Sequence, residues 1–454
     1  MQLHETFSTR MGFLLAAMGS AVGLGNIWKF PYTLGVNGGA AFVVVYLLAI
    51  FLIATPIMMA EMLLGRRGRM SAPETLRTIA LEIGSSPRWA WLGWLGVLAL
   101  FLVLSFFSVV AGWAMAYIFK TLSGALTGMN PGELAGAFDG FLHSPGTLII
   151  WHALFMACTM FIVSRGIKAG IERAVTIMMP ALFVMLIGLV IYAMFAGEFM
   201  QAVNYLFTPD FSKITPQVTL SAVGQAFFSV NVGVGGVLTY AAYLPAGVDL
   251  VKSSFIIAIG DTLVALLAGL MIFPFVFAYG LDPAEGPGLI FITLSTAFAH
   301  MPGGTVIGAA FFFLIFLAAL TSSLSMLEVA VCRLEEIKSG SRAQMTLALG
   351  SAVFFFGFLT IFSFSYLEDI HPLGFIDMFA DMTFFALIEF FVSNILMPIG
   401  GFFYALFVGW WLSREITRQE LGLKDALLFN SWRFLIRYVV PVAVLAIFIS
   451  NLLN

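Results

Sequence analysis

The sequence predicts an all-α integral membrane protein that crosses the bilayer about eleven times, and three observations predict it. Of 454 residues, 61% are hydrophobic and only 10% are charged. Eleven apolar runs alternate with polar breaks, and a helix needs roughly 20 apolar residues to cross the hydrocarbon core. Basic residues collect on alternate breaks. A soluble domain cannot keep so much apolar surface out of water, and a mean hydropathy of +1.02 points to lipid as the solvent.

Taken in order, the runs cover 11–35, 39–64, 90–124, 146–164, 171–196, 217–245, 253–280, 304–332, 343–364, 383–412 and 434–453. The third and eighth are long enough to tilt or to extend past the membrane. With residues 1–10 as a cytoplasmic tail, 18 of the 21 Lys and Arg fall on inner segments. Only Lys120 and Lys213 fall outside, and Lys29 lies within the first run. The outer breaks carry Glu133, Asp139, Asp282, Glu285, Glu368 and Asp369 instead. This asymmetry places the N-terminus in the cytoplasm and the C-terminus, at Asn454, outside. One missed helix would scramble it. The polar start has no cleavable signal pattern.

No domain boundary is visible, so residues 1–454 read as a single transmembrane domain. Net charge is −3 and no basic run suggests nucleic acid. Cys158 and Cys332 both lie in apolar runs and read as small core residues, outside any disulfide framework or metal site.

Two runs are built to break. The first contains Gly19-Ser20-Ala21-Val22-Gly23-Leu24-Gly25-Asn26, and the sixth contains Ser229-Val230-Asn231-Val232-Gly233-Val234-Gly235-Gly236. Each Gly weakens a helix by roughly 1 kcal/mol relative to Ala. Non-helical backbone at membrane depth is tolerated only where it is buried or lines a cavity. Interruptions five runs apart suggest a 5+5 inverted repeat, 11–196 and 217–412, with 434–453 as an additional helix and a binding site between the halves. Freed N–H groups can receive a carboxylate and freed carbonyls a cation. Close packing through small residues is the plainer alternative, but Asn26 and Asn231 beside the breaks favour a site.

Three further features stand out. Thr321-Ser322-Ser323 follows Ala318-Ala319-Leu320 inside the eighth run. These hydroxyls either bond back to their own helix or supply hard oxygens to an alkali cation. Asp261 sits deep in the seventh run, where a carboxylate is expensive and hence a functional candidate. Lys29 needs an acidic partner, with Glu389 and Asp381 as candidates, unless it snorkels to the interface.

At this point the residues resemble a known family. Gly19 to Tyr32, reading GSAVGLGNIWKFPY, with Asn37-Gly38-Gly39, is similar to the first-helix signature of the bacterial neurotransmitter:sodium symporters. Gly224-Gln225-Ala226-Phe227-Phe228-Ser229, Thr239-Tyr240-Ala241-Ala242-Tyr243 and Gly170-Ile171-Glu172-Arg173 with Pro180 extend the likeness essentially end to end. The resemblance implies a leucine-transporter-like fold of the eleven-helix type in a bacterial plasma membrane, and a symporter that imports an amino acid or related small amine by alternating access. It implies two sodium sites. One would use Ala21, Asn26, Ser229 and Asp261; the other Gly19, Val22, Ala318, Thr321 and Ser322. A carboxylate at Asp261 would stand in for chloride, which is then not required. The substrate carboxylate would meet Leu24 and Gly25, with Phe228 as a lid, and Ser20, Val103, Phe107, Asn231, Val234 and Met326 as walls.

Three departures accompany the likeness. Phe106-Phe107 replaces the usual pair of Tyr, so the pocket loses a hydroxyl; atypical substrate selectivity is therefore expected. Lys29 stands for the commoner Arg at the outer gate. His4 stands for an inner-gate Arg, whose acidic partner would be near Glu336. Two other classes compete. A channel needs a continuous polar path, whereas the polar residues here are clustered. An enzyme needs a nucleophile–base pair or metal ligands, and the five His show no ligand spacing. Neither the substrate nor the oligomeric state is legible.

Overall fold

The computed structural model describes residues 5–245, 247–283, 289–338 and 340–453. His4, Glu285 and Asn454 lie outside them. Among the described residues every regular element is a helix. Nine are long and apolar enough to cross a membrane, and the bent pair Arg10–Ala21 and Gly25–Val36 makes a tenth span. The pair Pro216–Ser229 and Gly236–Ala242 occupies the sixth run. In chain order, span 1 is the bent pair, span 2 Ala40–Gly68, span 3 Pro87–Leu122, span 4 Pro145–Val163 and span 5 Ile167–Ala196. Span 6 is the second pair, span 7 Leu250–Ala278, span 8 Gly304–Ile337, span 9 Arg342–Phe362, span 10 Phe384–Trp411 and span 11 Ala426–Leu452. All eleven predicted runs are helical among the described residues, and ten of them meet the length and apolarity that a crossing needs.

The two breaks have local causes. In span 1 the helix stops at Val22, whose backbone turns extended (ψ 106°), and the two halves meet at 48°. In span 6, Asn231 (φ 52°), Gly233 (φ 90°) and Gly235 (φ 75°) all adopt left-handed backbone. A right-handed helix cannot pass through three such residues. The run over 217–245 is thus two half-helices with an unwound link at the predicted interruption. Long spans 3 and 8 pack against each other and, with span 2, are the most enclosed of the nine long spans, while spans 4 and 11 show the most surface.

Shorter helices fill the breaks between runs: Ala72–Glu82, Pro131–Leu142, Phe199–Phe207, Leu289–His300 and Arg414–Leu421. Hydropathy alone passed over them because each is too short to span. One carried readable local signals: Asn130 and Glu133 form a capping box around Pro131 at the helix start.

Candidate ion and substrate site

Both breaks face one another, and polar side chains of spans 2 and 7 close over them. Asn26 Oδ1 accepts the Gly23 N–H at 3.2 Å, which ties the side chain across the unwound turn of span 1. Its Nδ2 donates to Ser229 Oγ at 3.0 Å, to the Asp261 carbonyl at 3.0 Å and to Asp261 Oδ1 at 2.8 Å. Ser229 Oγ donates to Asp261 Oδ2 at 2.6 Å. Tyr46 of span 2 places its hydroxyl 3.2 Å from Ser229 Oγ. All four residues are fully buried. Among the described residues no Lys or Arg forms an ion pair with Asp261. Its carboxylate is therefore a buried charge with hydrogen-bond donors but no cation of the chain to balance it, an expensive arrangement. Ala21 lies buried at the end of the first half of span 1, next to this cluster in the chain.

A second cluster joins span 1 to span 8 and holds no charge. Ser322 Oγ lies 3.1 Å from the Gly19 carbonyl and 3.2 Å from the Val22 carbonyl. Thr321 Oγ1 lies 3.0 Å from the Ala318 carbonyl, one helical turn back. Helix termination at Val22 is what leaves the carbonyls of Gly19 and Val22 without a following turn. The predicted alternatives for the hydroxyls thus divide: Thr321 bonds back along its own helix, and Ser322 reaches across to span 1. Three oxygens meet at Ser322, and Thr321 beside it carries two more on the same helix; oxygen donors of this kind suit a small hard cation. Of the predicted residues, hydrogen bonds bring together Asn26, Ser229 and Asp261 in the first cluster, and Ser322 with the Gly19 and Val22 carbonyls in the second.

Beside the clusters is an aromatic cavity of about 370 Å³, bounded by Leu24, Trp28, Phe106, Phe107, Phe228 and Phe291 among others. Gly25 lets the Phe228 ring close on span 1: a Cβ there would come within 3.2 Å of the ring. Val103 and Met326 are buried but not sealed, and Val234 is fully buried with its backbone against Gly96 of span 3. Ser20 Oγ donates to Ser325 Oγ at 2.8 Å. Asn231 is 8% exposed, and its Nδ2 has no hydrogen-bond partner.

Of the two acids offered for Lys29, the structure selects Glu389, at 3.7 Å. Asp381 is exposed and precedes span 10, too early in the chain to share the helix face of Glu389. His4, the position Glu336 was expected to face, lies outside the described residues. Glu336 accepts from Ser71 and pairs with Arg333 at 3.0 Å. The tail is held by Glu172, whose carboxylate accepts the Ser8 N–H at 2.8 Å.

Several residues escaped the sequence reading. Glu61 in span 2 is fully buried and accepts the Gly233 N–H at 2.6 Å, bracing the unwound link of span 6. A carboxylate deep in an apolar run was the signal that should have flagged it. Gln225, which donates to the Gly25 carbonyl at 2.9 Å, stood in a motif without an assigned role. Tyr46 carried no signal, since one phenol among aliphatic residues is unremarkable.

Comparisons with known proteins agree with this arrangement. Residues 4–132 and 138–454 match the sodium:neurotransmitter symporter family. A sodium-dependent transporter of Bacillus subtilis, YhdH, is 37% identical over 98% of this chain and 97% of its own length. One from Haemophilus influenzae is 33% identical over 99% and 98%. The crystal structure of MhsT in complex with L-phenylalanine superposes with a TM-score of 0.89 at 39% identity, covering 99% of this chain and all of that one.

Proposed function

We propose that this chain, which belongs to the sodium:neurotransmitter symporter family, imports an amino acid or a related small amine or zwitterion together with two sodium ions, by alternating access, across a bacterial plasma membrane. Sodium dependence and a small-molecule cargo go with the family. The observation that carries the finer reading is the unbalanced Asp261 carboxylate, bonded to Asn26 and Ser229 where the two unwound helices meet. A buried charge of that kind calls for a cation, and the surrounding donors are oxygens. Because this carboxylate supplies a fixed negative charge, no chloride is needed there. The second ion takes Gly19, Val22, Ala318, Thr321 and Ser322. The cargo carboxylate meets the free end of span 1 at Leu24 and Gly25. Basic residues on alternate breaks support a cytoplasmic N-terminus. The chain acts as a carrier and not as an enzyme, and its surface of exposed aliphatic side chains is bilayer-facing. L-phenylalanine in MhsT supports an amino acid as cargo.

Uptake into proteoliposomes tests this. A panel of labelled amino acids and amines is offered with an inward sodium gradient and without one. Thr321→Ala with Ser322→Ala, and separately Asp261→Asn, should each weaken sodium dependence by about 10- to 150-fold, the worth of a charge-assisted contact. Phe107→Tyr should shift preference toward ordinary α-amino acids, since it restores a donor for the carboxylate. Uptake of the same size without sodium, or unchanged sodium affinity in both variants, would remove the reading.

A further inference from the structure

Two turns of span 3 below the aromatic cavity, the breaks of spans 1 and 6 place a hydroxyl and an amide beside one another. The face of span 3 that presents Phe107 to the cavity continues one and two turns back through Val103 and Leu100. Seven residues of helix descend about 10 Å. At that depth Leu100 meets the start of the second half of span 6: a Cβ on Gly236 would lie 4.0 Å from Leu100 Cδ1, 4.0 Å from Ser20 Oγ and 3.6 Å from Asn231 Nδ2. Gly236 thus leaves a small space between an amide and a hydroxyl. The Asn231 Nδ2 is a buried donor without a partner. Its backbone is left-handed (φ 52°) at the unwound link, and the residue is buried. Ser20 Oγ gives its proton to Ser325 Oγ, which gives its own to the Ser322 carbonyl at 2.8 Å. The hydroxyl of Ser20 is therefore left with lone pairs only. One side of this space donates and the other accepts.

We propose that Asn231 and Ser20 are specificity-determining residues, and that they select a cargo whose side chain ends in a neutral group that both accepts and donates: a hydroxyl or a primary carboxamide. The inference rests on the transport reading above. Such a group accepts from Asn231 Nδ2 and donates to Ser20 Oγ. A carboxylate has no proton for Ser20, and an ammonium has no lone pair for Asn231. Neither finds a counter-charge among these residues, so burial there is costly. A purely apolar end leaves the amide unpaired, and buried unpaired groups are what give a site its power to reject.

The test is calorimetry on the purified chain in sodium with matched pairs: L-tyrosine against L-phenylalanine, and L-glutamine against L-methionine, with L-glutamate as the charged control. In at least one pair the polar member should bind about tenfold or more tightly, and L-glutamate should be the weakest of all. Asn231→Gly keeps the left-handed backbone and removes the amide, and should bring the preferred pair within about twofold. Ser20→Ala is a second variant that does not touch the unwound link, and should narrow the same ratio. Sodium-dependent binding with equal affinities in both pairs, or a preference that survives both variants, would overturn this inference and leave the transport reading standing. Absence of sodium-dependent binding across the whole panel would overturn both.

Discussion

The two ends of the cargo path are closed by different means. At the Lys29 end, one ion pair of 3.7 Å joins partly exposed side chains, Lys29 at 25% and Glu389 at 40%. Lys29 also sits 4.0 Å over the Phe228 ring, and the aromatic cavity of about 370 Å³ lies beside it. At the Arg342 end the closure is dense. Arg342 pairs with the fully buried Glu328, donates to the Val163 carbonyl at 2.9 Å and pairs with Glu335 at 2.9 Å. Tyr243 donates to Glu328 at 2.7 Å. Phe7 is buried edge-on against Phe13, Tyr240 and Tyr243. Two carboxylates then clasp the start of span 1 to the start of span 5. Glu5 accepts from Ile167 N–H at 2.6 Å, and Glu172 accepts from Ser8 N–H at 2.8 Å. Glycines make room for both, since a Cβ on Gly12 would overlap the Glu172 carboxylate and one on Gly166 would lie 2.7 Å from Glu5. The difference shows which way this conformation faces. One long, solvated contact guards the Lys29 end, whereas opening the Arg342 end must separate several buried charge-assisted bonds at once. A carrier poised to receive cargo from the Lys29 side has this asymmetry.

The largest expected effect is at the Arg342 end. Arg342→Ala leaves Glu328 as an unpaired buried charge, a loss of about 3–5 kcal/mol. Thermal unfolding in detergent should show it as the most destabilised single variant. Arg342→Met with Glu328→Leu, which removes both charges, should recover most of the loss. A wild-type melting curve for Arg342→Ala would erase the contrast between the two ends.

Next in size are the clasping carboxylates. Glu172→Ala and Glu5→Ala should each cost about 0.5–2 kcal/mol, as for the loss of a helix N-cap. Hydrogen exchange is the sensitive measurement. Faster exchange confined to residues 8–12 in Glu172→Ala, and to residues around 167 in Glu5→Ala, would sharpen the comparison. Equal acceleration near Lys29 would blur it.

Lys29→Met should move stability by no more than about 1 kcal/mol, because an exposed pair is weak. Its effect belongs to access: a cysteine placed at Val110, on the cavity wall, should react with a water-soluble thiol reagent faster than in the parent. No change in reactivity would mean that Phe228 alone limits entry.

The smallest effect lies in a loop on the Lys29 side. His143 contacts the Asp139 carbonyl at 2.9 Å and Glu368 at 3.0 Å. The backbone acceptor at Asp139, then the Glu368 carboxylate, hold its pKa above the ordinary imidazole value. For a raised folded pKa the stabilisation is fully present below the unfolded value of about 6.5 and is lost as pH rises through the folded one. Exchange protection around residues 139–144 should therefore fall over that window, and His143→Gln should flatten the dependence.

Much of this was legible one residue at a time. Every span was visible because each must be apolar along its own length, whatever it packs against. The breaks were visible because Gly and Asn clusters weaken a helix locally, as at Gly23-Leu24-Gly25 and Gly233-Val234-Gly235. Thr321, Ser322 and Asp261 stood out because polar groups in apolar runs need a reason. The short helices between spans fell below the resolution of hydropathy, although Asn130 and Glu133 announced one of them.

What the sequence determined alone was the solvent, the apolar runs, the positions of the interruptions and the polar residues around them. Tertiary structure decided the partnerships. Glu389 and not Asp381 meets Lys29, because where span 10 begins sets which acid shares its face. Glu336 binds Ser71, and Glu172 takes the tail. Tyr46 and Glu61 join the site from span 2, and the Asn231 amide is left facing Ser20 across Gly236. These contacts link residues up to 360 positions apart, and no local pattern encodes them; they exist only once packed helices hold two distant side chains within reach of one another.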